Sequence, residues 1–313
     1  MHRRDFIGKS LGGATVLCIP APLKAAEQYL FFDKSSPKIS LAQWSLHRSF
    51  EKAVLKTEDF ASIAMDVYRI PAVEYVSSLY KKFGKDEKFW NRMKTRADNA
   101  AVENLLIMID DEGDLGDPNE GKRNQAVENH IKWLNAARIL NCHSIRVNAF
   151  GSGDRQSMRS QLVDGLGKLA GHGAEIGINV LIENHGLHSS DGSYISEIIG
   201  EVNNDFLGSL PDFGNWCLNA KWGSTQGGKC SEVYDPYKGV KQLLPFAKGV
   251  SAKSYDFDTD GNETTIDYHK MLQLVKSSGF DGYIGIEYEG SRLSEDMGIR
   301  ATKSLIEQTW KAL

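Results

Sequence analysis

Short apolar runs alternate along this chain with longer stretches whose apolar residues recur every three or four positions. The short runs are KISLAQW, AVEYV, NLLIMI, SIRVNAF, NVLIEN, LGSLPDF, GVSAKSY and YIGIEYEG. Each has the length and the β-branched or aromatic content of a strand. Each is followed by a helical stretch: TEDFASIAMDVYR, DEKFWNRMKTRADNA, RNQAVENHIKWLNAARIL, SMRSQLVDGLGKLAGHGAEIG, SYISEIIGEVN, VYDPYKGVKQLLPFA, IDYHKMLQLVKSSG and SEDMGIRATKSLIEQTWKAL. Parallel neighbours need crossover connections, and these helices supply them, so the alternation implies a parallel sheet covered by helices. Eight such pairs within residues 38–313 predict an α/β fold, a single (β/α)8 TIM-barrel domain. A doubly wound open sheet is the competing arrangement. Its dinucleotide turn needs glycines after the first strand, and QWSLHRSFE has none.

The strands end in polar groups. In VLIENHG the apolar run Val180–Ile182 passes directly into Glu183, Asn184 and His185. A barrel of this type carries its chemistry at the C-terminal ends of its strands. Those ends hold Gln43, Trp44, Ser45 and His47 on the first strand, Glu74 and Tyr75 on the second, and Asp110, Asp111 and Glu112 on the third. Arg146 and Asn148 follow on the fourth, Glu183 and His185 on the fifth, and Asp212 and Asn215 on the sixth. The seventh brings Ser251, Lys253 and Tyr255, and the eighth Glu287 and Glu289. Carboxylates gathered in one mouth repel unless a cation or shared protons relieve them. A divalent metal is the expected solution; oxygen ligands suit Mg²⁺ or Mn²⁺, and a histidine shifts the choice toward Mn²⁺, Co²⁺ or Zn²⁺. Gln43, His47, Glu74, Arg146, Asn148, Asn215 and Trp216 are expected to contact substrate, and Trp44 and Trp216 suit stacking on a sugar ring. The bland alternative makes Glu183 and Glu287 structural acids paired with Arg146 or Lys253. His130, His143, His172 and His269 read as structural.

The motifs IENHG, LPDFGN, VSAKSYDF and GIEYEG resemble those of the xylose-isomerase-like TIM barrels. That superfamily includes sugar isomerases and epimerases, inosose dehydratases and endonuclease IV. The resemblance implies metal ligands at Glu183, Asp212 and Glu287. On strand seven the family often reads HVKD with the histidine as ligand; here Ser251 takes that place. A neutral hydroxyl is a poor ligand, so water, His185 or His188 completes the site or the metal is held less tightly. The resemblance implies a metal-dependent sugar isomerase or epimerase that removes a proton beside a carbonyl. Glu183 and Glu287 would exchange that proton, Asp212 would hold the metal, and His185 and Lys253 would position substrate oxygens. A 3-keto-glycoside lyase shares the first step and then expels the glycosidic oxygen. Two further rivals are an endonuclease IV-like repair enzyme and a non-catalytic sugar-binding protein, the second favoured by Ser251.

Composition narrows these readings. The 313 residues are 41% hydrophobic and 25% charged, with a net charge of −4. That is ordinary globular material, and the acidic balance weighs against a nucleic-acid partner. The expected partner is a small sugar or glycoside, with oligomeric state left open. Arg3 and Arg4, followed by DFIGKS and a short apolar stretch, resemble a twin-arginine export signal over residues 1–26, followed by a linker over 27–37. This predicts a periplasmic protein that is free of the membrane once the signal is removed; a disordered basic N-terminus is the alternative. Beyond that segment stand Cys142, Cys217 and Cys230, an odd number. Cys142 reads as a buried small hydrophobe, while Cys217 and Cys230 either pair across a Gly-rich loop or stay free. DFDTDGNETTID, residues 256–267, has the acid spacing of a calcium loop, but Glu263 occupies its apolar position and a polar turn accounts for it equally.

Overall fold

The computed structural model describes residues 36–313, apart from 227 and 229. The export segment and nearly all of the linker lie outside the described residues. Eight strands form one sheet: β1 (Lys38–Ala42), β2 (Ala72–Val76), β3 (Glu103–Met108), β4 (Ser144–Asn148), β5 (Asn179–Glu183), β6 (Leu207–Leu210), β7 (Val250–Ser254) and β8 (Tyr283–Tyr288). The barrel helices that follow them are α1 (Phe60–Tyr68), α2 (Glu87–Asn99), α3 (Glu120–Leu140), α4 (Arg155–Ile176), α5 (Gly192–Val202), α6 (Pro236–Leu243), α7 (Tyr268–Ser277) and α8 (Glu295–Ala312). All ladders are parallel, in the order β6-β5-β4-β3-β2-β1-β8-β7. Isolated parallel bridges, Ser209 to Ala247 and Asp212 to Ser251, link β6 to β7 and close the ring. The fold is the expected α/β TIM barrel.

Local chemistry sets the element ends. Seven of the eight helices begin at a side-chain cap: Asp86, Asn119, Asp154, Asp191, Asp235, Asp267 and Ser294 each accept a backbone N–H from the first turn. Two expected boundaries move. Gln43 and Trp44 leave the first strand for a 3₁₀ turn over Gln43–Leu46. The sixth strand stops at Leu210 because Pro211 has no N–H to add to the ladder.

Period-two alternation sorts each strand into two layers. On β5, Val180 and Ile182 face the helices and join the outer core, while Leu181 faces the barrel axis with Leu106, Met108 and Leu210. The next axial position on β5 is Glu183. Further round the barrel the axial positions turn acidic in the same way, Leu210 being followed two residues on by Asp212 and Gly285 by Glu287, with Glu183 level with Leu210 and Asp212 level with Ser251. On each of these strands the apolar plug of the barrel therefore gives way to charge toward the C-terminal end.

Candidate active site at the barrel mouth

The charged layer begins with Glu183, Asp212 and Glu287. One carboxylate oxygen from each lies within 4.8 Å of the others, and all three side chains are buried. Around them stand two cations. Arg146 on β4 donates to Asp110 Oδ1 at 2.8 Å, and its Nε lies 2.7 Å from Glu183 Oε2. That second contact is an ion pair without hydrogen-bond alignment, so Glu183 Oε2 and Arg146 Nε have no hydrogen-bond partner. Lys253 on β7 places Nζ 2.9 Å from Glu287 Oε1, 3.3 Å from Glu289 Oε1 and 3.9 Å from Asp212 Oδ2.

The two cations face six carboxyls, Glu74, Asp110, Glu183, Asp212, Glu287 and Glu289, and the mismatch shows in the protonation of the buried ones. Burial pushes Glu183 up to about 7, with Arg146 opposing and Glu287 adding to the rise. Burial also raises Asp212 well above the carboxylate range, although Lys253 pulls the other way. Glu287 is equally buried, yet the Lys253 charge and hydrogen bond hold it below the usual range. Against the cost of burial, Arg146 holds Asp110 down at about 2.

Ser251 sits between two of these acids, with Oγ 2.6 Å from Asp212 Oδ2 and 2.9 Å from Glu287 Oε2. A hydroxyl has one proton and cannot donate to both. Either the acids share a further proton or a cation stands among them. A hard divalent ion would be held by oxygen ligands at short distance, which requires carboxylates that converge on one point. Three carboxylate oxygens within 4.8 Å of one another converge in this way, and a dication would relieve their surplus of negative charge. The donor set therefore fits a metal, through oxygen atoms only.

The His185 imidazole stands beside this group, with Nδ1 3.9 Å from Glu183 Oε2. Asn148 Nδ2 donates to Asp110 Oδ1 at 2.7 Å, which leaves Asn148 Oδ1 as the acceptor facing His185 Nδ1, also at 2.7 Å. The proton therefore sits on Nδ1, and Nε2 keeps its lone pair. Burial, aided by Arg146, lowers the imidazole pKa to about 3, so the ring is neutral. Asn184 ties the end of β5 to the next loop, donating to the carbonyls of Asp212 and Asn215 and accepting from Asp212 N. Asp212 is fixed further by the N–H groups of Gly214 and Asn215 on Oδ1, 2.8 Å each.

Above this floor lies a cavity of about 340 Å³, within the size range of small-molecule sites. Arg146, His185 and Glu287 line it, joined by Asp110, Glu289, Trp44, Trp222 and Ser224. Trp44 Nε1 donates to Glu289 Oε1 at 2.6 Å, which fixes that indole on the rim.

Several residues expected at the mouth are elsewhere. Gln43 is buried, with Nε2 donating to Tyr80 Oη at 2.7 Å and Oε1 accepting from Val76 N at 3.1 Å. His47 stacks on Trp44 and bonds its carbonyl at 2.6 Å rather than lining the cavity. Glu74 lies below the mouth, accepting from Ser40 Oγ at 2.6 Å beneath Gly285, where any Cβ would come within 2.5 Å of Oε1. Trp216 is a core residue; it stacks on Tyr234 and fills the space left by Gly239. Asn215 is buried and reaches Glu183 Oε1 at 3.2 Å, supporting the acid from behind. Glu263 turns inward to accept four backbone N–H groups, from Tyr255, Asp256, Thr265 and Ile266, so the calcium-like spacing is a self-capped turn. Cys217 and Cys230 form a disulfide, and Cys142 is free and buried. Among the described residues no helix is long and apolar enough to cross a membrane.

Trp222 and Ser224, with Val76 and Ser78, line the mouth without having been singled out in the sequence. For Trp222 the available signal was a lone tryptophan in a Gly-rich stretch bracketed by two cysteines.

No curated protein matches this chain. Solved structures match its fold at low identity. The xylose isomerase domain protein from Planctomyces limnophilus superposes with a TM-score of 0.63 at 16% identity, covering 88% of this chain and 98% of that one. The IOLI protein with a bound zinc atom gives 0.65 at 14%, covering 88% and 98%. D-psicose 3-epimerase with D-tagatose from Clostridium cellulolyticum H10 gives 0.63 at 10%, covering 88% and 96%. The sequence family described as "Xylose isomerase-like TIM barrel" matches residues 68–309, from the end of α1 into α8. With the match running over most of the barrel, the chain belongs to the xylose isomerase-like TIM-barrel family.

Proposed function

We propose that this protein is a divalent-metal-dependent enzyme that acts on a sugar by removing a proton beside its carbonyl, as an isomerase or epimerase. The observation that carries the reading is the meeting of Glu183, Asp212 and Glu287 within 4.8 Å at the floor of the barrel mouth. The epimerase and zinc-bound neighbours support the same class. Glu183, Asp212 and Glu287 would hold the metal, with Ser251 too weak a donor to serve as a fourth ligand. A bound dication supplies Lewis-acid stabilisation to the oxyanion that forms when the proton leaves. An all-oxygen donor set favours Mg²⁺ or Mn²⁺ over Zn²⁺.

The chain's own residues do the rest. Lys253 keeps Glu287 ionised, as a base must be. Glu287 takes the proton from the substrate carbon, and Glu183 returns one to the same carbon or its neighbour. His185, neutral with a free Nε2, accepts a substrate hydroxyl. Arg146 and Lys253 place positive charge beside the oxygens that gain electron density.

A second reading keeps the proton abstraction and ends in elimination from a 3-keto-glycoside. The Cys217–Cys230 disulfide favours it, because such bonds persist in oxidising compartments, where glycosides rather than phosphosugars are the available substrates. The same bond supports export to the periplasm.

The test is incubation of Mn²⁺-loaded protein in D₂O with free ketoses and with 3-keto-glycosides. Deuterium uptake beside the carbonyl is the expected result, and product analysis separates an epimer from an unsaturated keto-sugar with released aglycone. Absence of exchange with every substrate would overturn both readings. Metal binding has its own readout: Mn²⁺ raises the melting temperature of the wild type and not of the Asp212→Asn variant.

A further inference from the structure

The loop between β6 and α6 is held more firmly than a crossover requires. The Cys217–Cys230 disulfide ties its two limbs together, and Cys217 bridges Val233. Its middle docks on Gly186, the residue after His185. Gly186 bridges Lys221, and a Cβ at Gly186 would come within 2.3 Å of Ala220 O and 2.7 Å of Trp222 N. With φ at +99°, Gly186 also holds a backbone conformation that favours glycine.

This docking presents Trp222 to the cavity. Its φ of +72° is a strained conformation for an aromatic residue, and the residue is 40% exposed. The indole stands edge-on to His185, with ring centroids 5.1 Å apart, and to Phe150 at 5.6 Å, with Lys221 Nζ 5.0 Å from its ring centroid. An exposed aromatic face, held in strained backbone by a covalent tie and a cation–π contact, is an organised binding wall without an occupant from the chain itself.

We propose that Trp222 forms the wall of an outer subsite that receives the second ring of a glycoside, aryl or glycosyl, while the reacting sugar lies deeper at the acids. This rests on the sugar reading of the mouth. Glu183 and Glu287 are 1% and 4% exposed on the floor, whereas Trp222 is on the rim, with His185 between it and Glu183. A ring against the indole is thus displaced outward from the reacting carbon by the width of a side chain. Both sources of a second ring present a flat apolar face, which is what an indole recognises.

The experiment is calorimetric titration of the metal-loaded protein with methyl β-D-glucopyranoside, phenyl β-D-glucopyranoside and cellobiose. The wild type should bind phenyl glucoside, cellobiose or both about 10-fold more tightly than methyl glucoside. Trp222→Ala should reduce that ratio to about 2-fold, while Trp222→Phe keeps most of it. Reducing the wild type with dithiothreitol should mimic Trp222→Ala. Equal binding of all three glycosides by the wild type, or an undiminished ratio in Trp222→Ala, would overturn the subsite and leave the sugar reading standing. Failure of all three to bind would overturn the subsite together with the reading beneath it.

Discussion

The two halves of the barrel handle polar groups in opposite ways. In β5–β8 the buried polar side chains converge on one another: Glu183, Asp212, Ser251, Lys253 and Glu287 form a single network at the axis. In β1–β3 and the turns after them, each is absorbed by a neighbouring element. Ser40 donates to one oxygen of Glu74, Gln43 joins Tyr80 to Val76, and Tyr75 Oη donates to Asn104. β4 stands at the border, since Arg146 reaches both Asp110 and Glu183. One half concentrates more negative charge than its one lysine neutralises; the other disperses polarity until little is unpaired. Substitutions in the first half should therefore damage chemistry while sparing the fold, and those in the second should do the reverse.

The largest expected effect is that of Glu287→Gln. Removal of the base should lower substrate-dependent deuterium exchange by about 10²–10⁴-fold, with the circular dichroism spectrum unchanged. Retained exchange would remove Glu287 from the chemistry. Lys253→Met sharpens the comparison because this side chain stabilises as well as catalyses. It leaves Glu287, Glu289 and Asp212 without their shared cation, and the loss of a buried ion-pair partner costs about 3–5 kcal/mol in urea unfolding. A change below 1 kcal/mol would mean that the acids already share protons and the lysine adds little.

The asymmetry also explains how far the sequence could be read. All eight strands were legible because strands buried on both faces are continuous apolar runs, and the helices because their apolar spacing and acidic caps are local signals. Glu183, Asp212 and Glu287 were legible for a related reason: each is the first polar residue on the axial face after apolar positions, and period two projects them to one place. Gln43, Glu74 and Trp216 carry the same local signature. Their partners, Tyr80, Ser40 and Gly239, lie 37, 34 and 23 positions away in the chain, and nothing near these residues marks the partner. Trp222 was hidden for the opposite reason. A Gly-rich stretch reads as slack, and only the disulfide and the seat on Gly186 turn it into a wall.

Glu74 offers a test in the second half that depends on pH. Burial raises its carboxyl to about 7, with the Ser40 bond opposing. The folded state therefore holds this proton after the unfolded chain, near 4.5, has released it. The resulting stabilisation is complete below about 4.5 and is lost as the pH rises through 7, by on the order of 3 kcal/mol. Glu74→Gln keeps a partner for Ser40 and has no proton to lose. The stability of the wild type relative to Glu74→Gln should fall between pH 4 and 8, measured by urea unfolding at each pH. A flat difference would mean that Glu74 is already ionised in the fold, paired with a cation from the reacting half, and the division between the halves would dissolve.

The smallest expected effect is also the cleanest discriminator. Gln43 stands where the first strand delivers its chain to the mouth, and by position alone it belongs among the substrate contacts. Its amide instead bonds a tyrosine hydroxyl on one side and a backbone N–H on the other, and it is fully buried. Gln43→Ala strands Val76 N and removes a donor from Tyr80, a buried loss of about 1–3 kcal/mol. Because Tyr80 Oη also bonds Thr57 O at 3.0 Å, its hydroxyl stays partly satisfied and the cost should fall toward the lower end. The exchange rate per folded molecule should match the wild type within about 2-fold, since no atom of Gln43 lines the cavity. A fall of about 100-fold with little change in stability would place Gln43 in contact with substrate and move the border of the reacting half round the barrel to β1.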